Sequence, residues 1–413
     1  MPQLLARGPT AATAAGPASG TSSSAPPIAS AAARGGPKKI INDAMEFTPD
    51  DANALLSDTN DFTVIGVIGA QGVGKSTLMS LLAGARWGEG GSQLHEPPFA
   101  PQTAETVQQA AHRTCGCDLY VTPERLLLLD TQPLLSPSVL LELMRRETTL
   151  TADVQTHENL LELHSLRIAL LVLSACHLVV CVHDGSFDPH ALRMVRLAQT
   201  LRHRVPDLSV LAQATPAAAA AMAAACAAVV SADESPAPVI EYAPRLAFVF
   251  NRMPPDAFDP GRLATIRAVL TRLFVANDGG ALGGSGAGGG AGGGGAGGSG
   301  GGGSPAADGG LVSGGAGGEN EVMSDRCSGG GPEVFCLPNA DAGGARLGAS
   351  HLGYHAEAEG CRDSLLSLRR RPFAHAISEK LWLRGVGRMW DLLRRAATLA
   401  DYNKAAQKMH LYA

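Results

Sequence analysis

The 413-residue sequence is free of the patterns that mark several large classes of protein. Its eight cysteines form no Cys-x-x-Cys pair and follow no regular spacing, which is typical of a reducing compartment. Lys and Arg number 33 against 38 Asp and Glu, so the chain does not coat nucleic acid through bulk positive charge. The longest apolar run, over 166–182, is interrupted by Arg167, Ser174 and His177, whereas a membrane span needs ~20 clean apolar residues. We therefore predict no membrane-spanning segment.

Glycine is abundant, with 50 residues, but its excess lies in one tract. Residues 279–318 contain 24 glycines in 40 positions, and no glycine period of three with proline supports a collagen helix. A tract of this composition cannot pack a hydrophobic core, so it predicts a flexible linker. Because strand-like sequence resumes at 333–337, we interpret the tract as an insertion within one domain.

The chain divides into a tail and a single folded domain. Residues 1–42 are predicted to be a disordered tail, and the Ala/Ser/Pro/Gly-rich stretch over 1–39 is also compatible with an organelle transit peptide. Residues 43–413 form the predicted domain, interrupted by low-complexity insertions at about 212–236 and 279–331. A C-terminal helix is predicted over 374–404, with Trp382 and Trp390 at helical spacing. This helix either completes the core or offers a binding surface.

Strand-like and helix-like segments alternate along the domain, which predicts an α/β fold with a mostly parallel sheet covered by helices on both faces. The predicted strands cover 63–69, 117–122, 125–130, 177–183, 245–251 and 333–337. One predicted helix begins at Ser136, and three others cover 158–175, 188–203 and 260–275.

The loop after the first predicted strand matches the pattern G-x-x-x-x-G-K-[ST] without a deviation and opens a helix. Glycines in such a loop let backbone N–H groups point at phosphate oxygens, and the helix N-terminus adds its positive end. The predicted nucleotide contacts are Gly69, Ala70, Gln71, Gly72, Val73, Gly74, Lys75, Ser76 and Thr77. Lys75 is expected to reach the β- and γ-phosphates.

A magnesium ion is expected beside this loop. The Ser76 hydroxyl, the Asp130 carboxylate at the end of a strand and the hydroxyl of Thr114 are its predicted ligands. Asp130 stands where GTPases place D-x-x-G, but Pro133 replaces the glycine. Proline has no N–H for a γ-phosphate and stiffens the segment, so we expect a defective switch.

The base-recognition segment also departs from the guanine-specific pattern N-K-x-D. Asn251 fits the pattern, Arg252 takes the place of the lysine, and Pro254 occupies the position of the aspartate, although Asp256 follows two residues later. Asn251 and Arg252 are therefore candidate nucleotide contacts. The predicted cofactors are a purine nucleotide (GTP/GDP or ATP/ADP) and Mg²⁺, with guanine versus adenine left open.

The sequence resembles the SMG-nine family of nonsense-mediated mRNA decay factors. The resemblance lies in the stretches TVIGVIGAQGVGKSTLMSLLAG, LLLLDTQPLLSPSVL, SLRIALLVLSACHLVVCVHDG and ISEKLWLRGVGRMWDLLRRAATLADYNK. The proline of DTQP is part of it, which makes it more specific than the glycine loop alone. The departures are Arg252, where the family tends to keep lysine, and the long Ala and Gly insertions.

The resemblance implies a P-loop NTPase fold of the G-domain type, in a protein whose role requires no nucleotide turnover. It also implies a related G-domain-like heterodimer partner of the SMG-eight type and a large phosphatidylinositol-3-kinase-like kinase of the SMG-one type. We accordingly expect a cytoplasmic, non-enzymatic regulatory subunit with no sequence-specific nucleic-acid binding.

Two enzyme hypotheses remain beside the regulatory one. A working GTPase or ATPase of the large GTPase type would use the same phosphate and metal residues, with Gln132 positioning water. A nucleotide kinase ranks last, because no Arg-rich lid segment lies between the strands. The basic C-terminal segment 362–413 presents either a solvated face or a contact for an acidic partner or RNA.

Overall fold

In the computed structural model, the described residues are 35–88, 94–146, 150, 154, 156–203, 205–227, 242–274, 332–339 and 353–410. Most of the predicted tail, the whole 279–331 insertion and residues 228–236 of the other insertion lie outside these ranges. In the described remainder of that insertion, residues 216–227 form a helix, and residues 212 and 213 end another helix that begins at Leu208.

The strands are β1 Lys38–Ile41, β2 Thr63–Gly69, β3 Arg86–Trp87, β4 Leu94–His95, β5 Cys117–Val121, β6 Leu126–Thr131, β7 Leu178–Asp184, β8 Arg245–Met253 and β9 Glu333–Pro338. The helices are α1 Asp50–Asn53, α2 Lys75–Leu82, α3 Ala104–Gln108, α4 Pro137–Arg145, α5 His157–Ala175, α6 Pro189–Arg202, α7 Leu208–Gln213, α8 Pro216–Ala227, α9 Pro260–Phe274, α10 Tyr354–Ser367, α11 Glu379–Arg395 and α12 Ala397–His410. A short 3-10 helix spans Pro255–Phe258.

Seven strands form one sheet in the order β1-β5-β6-β2-β7-β8-β9. Strands β6, β2, β7, β8 and β9 run parallel to one another. At one end of the sheet, β5 pairs antiparallel with β6, and β1 pairs antiparallel with β5. The predicted α/β fold with a mostly parallel sheet is confirmed. The side chains of β2 alternate between two hydrophobic clusters, with Val64 and Ile68 on one face of the sheet and Ile65 and Val67 on the other. This alternation shows that both faces of the sheet are covered.

The predicted boundary of the tail at residue 42 is wrong, because Lys38–Ile41 form strand β1. Ile40 and Ile41 are fully buried in the core, and Lys39 donates from Nζ to the Asp118 carboxylate at 2.9 Å on the neighbouring strand β5. Two apolar residues at the end of a polar stretch are too short a signal to reveal an added edge strand. The folded domain therefore includes Lys38–Ile41.

The predicted helix over 374–404 is also wrong in its bounds, since it is two helices. The first, α11, begins at Glu379 with Ser378 as its N-cap, and ends where Ala396 takes an extended conformation. Trp382 and Trp390 are fully buried, and their indole N–H groups donate to Ala175 O at 2.8 Å and to Met45 O at 3.0 Å. The tryptophan face of α11 therefore completes the core, which is the first of the two alternatives stated for this helix. Within the described ranges, every helix is too short or too polar to cross a bilayer.

Candidate functional site

The loop over residues 69–76, called the glycine loop below, connects β2 to α2 at the carboxyl edge of the parallel strands. Gly72 and Gly74 have φ angles of +75° and +99°, which favour glycine over other residues. A Cβ atom at Gly74 would also lie 2.6 Å from Asn251 Nδ2. The loop thus depends on these glycines both for its backbone path and for its close approach to β8.

Lys75 lies inside the glycine loop. Its side chain is 7% exposed, and Nζ donates to Ala70 O at 2.8 Å and Gly69 O at 3.2 Å. Burial lowers the pKa of Lys75 to about 8, and the nearby Asp130 carboxylate opposes this shift. The ammonium group therefore lies at the loop, where it is bonded to two of the loop's carbonyl oxygens.

The three predicted metal ligands meet at one carboxylate. Ser76 Oγ donates to Asp130 Oδ2 at 2.7 Å, Thr114 Oγ1 donates to the same oxygen at 2.9 Å, and the two hydroxyl oxygens are 3.4 Å apart. Asp130 is 1% exposed, and its Oδ1 is buried without a hydrogen-bond partner among the described residues. Burial raises the pKa of Asp130, while Lys75 and the two hydroxyls lower it.

The sheet register explains why these residues meet. Strand β2 pairs in parallel with β6, with Gly66 opposite Leu129, so the glycine loop and Asp130 leave the sheet at the same edge. The unpartnered Asp130 oxygen and two hydroxyls are the kinds of oxygen ligand that Mg²⁺ uses when it also binds phosphate. The donor set therefore fits the predicted ion. Among the described residues no cluster of three His, Cys, Asp or Glu side chains exists elsewhere to compete for it.

The two glutamines near the site contact protein groups. Gln71 Oε1 accepts hydrogen bonds from Ser136 Oγ at 2.5 Å and Ser138 Oγ at 2.7 Å, which ties the glycine loop to the start of α4. Gln132 Oε1 accepts from the Gly116 N–H at 2.9 Å, and its side chain is 4% exposed. Gln132 is thus held against the backbone before β5.

Hydrogen bonds hold the segment that follows Pro133 against two parts of the fold. Pro133 is buried, the Leu134 N–H donates to Gly69 O at 3.0 Å, and the Leu135 N–H donates to Ser165 Oγ at 3.0 Å. A segment that is buried and bonded to the glycine loop and to α5 has little freedom to change conformation. The defective switch stays a prediction, and the contacts of this segment enter the proposal below.

The base-recognition candidates are engaged elsewhere. Asn251 Nδ2 donates to Val73 O at 2.9 Å and so supports the glycine loop. Arg252 Nε and Nη2 donate to the two carboxylate oxygens of Asp184 at 2.8 and 2.6 Å, a bidentate pair that is about half exposed. A cleft beside Asn251, lined also by Tyr354, has a volume of about 10 Å³, the space of one water rather than a purine.

Asp184 and Tyr354 are the residues at this end that sequence patterns missed. Asp184 is the last residue of β7 and lies opposite Asn251 in the parallel register, so an acidic residue ending an apolar strand was an available signal. Tyr354 belongs to α10, which no prediction included. Its ring lies 5.6 Å from that of Trp87, and no local sequence pattern indicates such a long-range contact.

No family model matches the chain, but curated proteins do. A Xenopus laevis protein described as nonsense-mediated mRNA decay factor SMG9 is 26% identical over 370 residues, covering 89% of this chain and 66% of the relative. The Salmo salar protein of the same description is 26% identical over 367 residues, with the same two coverages. A Drosophila melanogaster protein described as SMG9 is 32% identical over 167 residues, 37% of this chain and 30% of the relative.

These homologues confirm the predicted resemblance to the SMG-nine family, and the chain spans 66% of the length of the two vertebrate relatives. Among solved structures, a bacterial selenocysteine-specific elongation factor, EF-Sec, matches 52% of this chain and 24% of its own at 12% identity. Its TM-score is 0.25, so this likeness carries no argument.

Proposed function

We propose that the chain is a purine-nucleotide-binding regulatory subunit in nonsense-mediated mRNA decay. In this role it binds a G-domain-like partner of the SMG-eight type and serves a phosphatidylinositol-3-kinase-like kinase of the SMG-one type. The names of its homologues support the decay pathway. The fold that goes with this role is that of a G-domain-like P-loop protein.

The convergence of Ser76, Thr114 and Asp130 beside Lys75 carries the proposal of nucleotide binding. Ser76 and Thr114 would offer hydroxyl oxygens to Mg²⁺, and Asp130 would hold the ion through its unpartnered oxygen. When bound, Mg²⁺ neutralises charge on the nucleotide phosphates. Lys75 and the N-terminus of α2 would supply the remaining positive potential.

The contacts around the site favour binding over turnover. Hydrolysis by this class of fold needs a residue that orients water and a segment that responds to the γ-phosphate. Here Gln132 is bonded to Gly116, and the segment at Pro133 is bonded to Gly69 and packed in the core. The regulatory role then requires no nucleotide turnover.

Recovery of partners from cell extract tests the regulatory role. The tagged chain should recover a G-domain-like partner and the large kinase, identified by mass spectrometry. The Lys75→Ala variant should retain both proteins if the fold alone presents the binding surface. Recovery of organelle proteins without the kinase would contradict the proposal.

Single-turnover hydrolysis separates this role from the rival GTPase or ATPase. We expect no phosphate release within minutes when excess protein is mixed with radiolabelled GTP or ATP and Mg²⁺. Turnover in the ~1–10³ s⁻¹ range of ordinary enzymes would instead favour the rival.

A further inference from the structure

A second cavity lies at the opposite edge of the sheet from the glycine loop. Its volume is about 340 Å³, within the ~300–1,000 Å³ of small-molecule sites. Thr63 begins β2 and His177 directly precedes β7, so the cavity opens at the amino ends of the parallel strands. The seven residues of β2 place it about 20 Å from the glycine loop.

The cavity is positively charged. Arg370 and Arg371 line it together with His375, and no carboxylate is among its described lining residues. Arg370 is fixed, because Nη1 donates to Thr63 Oγ1 at 2.8 Å and Nη2 donates to Leu366 O at 2.7 Å. Arg371 is exposed at the rim. A fixed guanidinium beside an exposed one is suited to a phosphate group.

Aromatic rings form the other wall of the cavity. Phe62 is half-buried, and its ring centroid lies 5.9 Å from that of His177 in an edge-to-face arrangement. The ring centroid of Phe373, which is buried, lies 4.2 Å from that of His177. Three rings next to two arginines offer a planar ligand an apolar surface and an anionic ligand a counter-charge.

His177 adds an oriented hydrogen-bond donor. Its Nδ1 accepts the Val64 N–H at 2.9 Å, so the neutral ring carries its proton on Nε2. Burial, with Arg370 as a second cause, lowers the pKa of His177 to about 4, which keeps the ring neutral at pH 7. No described residue accepts a hydrogen bond from Nε2, although the side chain is 8% exposed and lines the cavity. The donor is available to a ligand.

We propose that this cavity binds a nucleotide unit, with the phosphate on Arg370 and Arg371, the base against Phe62, and a ligand oxygen on His177 Nε2. The ligand is either a free mononucleotide or one nucleotide of a single-stranded RNA, since both carry the same phosphate and ring. Contacts of this kind do not read a sequence, because stacking accepts every base. The site is independent of the glycine loop and of the proposed function.

Fluorescence anisotropy of a 3′-fluorescein decauridylate with the full chain tests the proposal. We expect saturable binding that Arg371→Ala weakens about tenfold, because one charge-assisted contact is removed. Phe62→Ala should weaken it about fivefold through lost stacking. Arg369→Ala is the matched control, since this exposed neighbour removes the same charge outside the cavity lining and should change the affinity less than twofold.

Competition with UMP distinguishes the two sources of the nucleotide. Displacement of the probe by UMP supports a free mononucleotide, and probe binding that UMP does not displace supports a unit of RNA. Equal losses for Arg369→Ala and Arg371→Ala would show diffuse attraction to the basic segment and overturn the proposal. Absence of saturable binding of the probe would overturn it as well.

Discussion

The two ends of the candidate nucleotide site differ in how their residues are engaged. At the phosphate end, Lys75, Ser76 and Thr114 surround Asp130, whose second oxygen has no partner among the described residues. At the base end, the side chains of Asn251 and Arg252 are hydrogen-bonded to other protein groups. Asn251 bonds to the glycine loop, and Arg252 pairs with a carboxylate of the neighbouring strand.

Under the proposed function, this difference assigns the phosphates as the part of the nucleotide that the protein recognises. Phosphate and Mg²⁺ binding needs only the glycine loop, one carboxylate and two hydroxyls, all present here. Base selection needs a free carboxylate or amide at the end of β8, where the sequence places Pro254. We therefore expect affinity to come from the phosphates, with little discrimination between guanine and adenine.

Removal of the Lys75 ammonium is the largest expected effect. Lys75→Ala should weaken GTP and ATP binding about hundredfold, because about 3 kcal/mol of charge-assisted hydrogen bonding to phosphate is lost. Calorimetric titration measures the affinity. The melting temperature of the free variant is the control for folding, because Lys75→Ala also removes the donor to Gly69 O and Ala70 O. Equal affinity of variant and parent would place the phosphates elsewhere.

The pH dependence of binding should be the next largest effect. Lys75 has its pKa lowered to about 8, so its protonated fraction falls from about nine-tenths at pH 7 to about one-tenth at pH 9. The dissociation constant should therefore rise about tenfold over this interval. Lys75→Ala should show a flat profile.

Loss of affinity in this range cannot be attributed to unfolding through Lys75. Because its folded pKa is lower than the unfolded value of 10.5, the unfolded chain binds more protons between pH 8 and 10.5. The contribution of Lys75 to stability therefore rises with pH in this window. Urea unfolding at pH 7 and 9 would reveal any other group that destabilises the fold.

Asn251→Ala should have a smaller effect that does not depend on the base. The change removes the 2.9 Å hydrogen bond to Val73 O, which costs about 1 kcal/mol and about fivefold in affinity. GTP and ATP should weaken equally, as measured by competition with a fluorescent nucleotide. A loss for only one nucleotide would contradict the assignment of Asn251 to loop support.

The smallest effect is expected for Arg252. The Arg252–Asp184 pair is half exposed, so Arg252→Ala should change the affinity for either nucleotide less than twofold. The GTP-to-ATP affinity ratio reports this most sensitively. A tenfold change in that ratio would show that the base end does select the ring.

Local sequence patterns predicted β2 and the loop and helix that follow it well. The strand over 63–69 agrees residue for residue with β2, because an apolar β-branched run, a glycine loop and a helix are all short-range signals. The meeting of Ser76 with Asp130 also follows from parallel strands ending at one edge. Thr114 lies in a loop, and its contact with Asp130 depends on how that loop folds back.

The base end and the outer parts of the fold depend on long-range partners. Arg252 was assigned to a nucleotide from its position in a pattern, but only the register of β7 with β8 brings Asp184 within reach. Strand β1 and helix α10 carry no strong local periodicity, and each is stabilised by contacts distant in sequence. Sequence patterns without an alignment do not contain this pairing information.

The Mg²⁺ dependence of nucleotide binding tests the central claim most directly. GTP and ATP affinities would be measured in Mg²⁺ and in EDTA for the parent, for Asp130→Asn, and for the control Asp118→Asn, which changes the cross-strand partner of Asp130. The account predicts binding to the parent and the control that weakens at least tenfold in EDTA, and a variant at Asp130 that no longer responds to Mg²⁺. Equal Mg²⁺ dependence in all three proteins would contradict it.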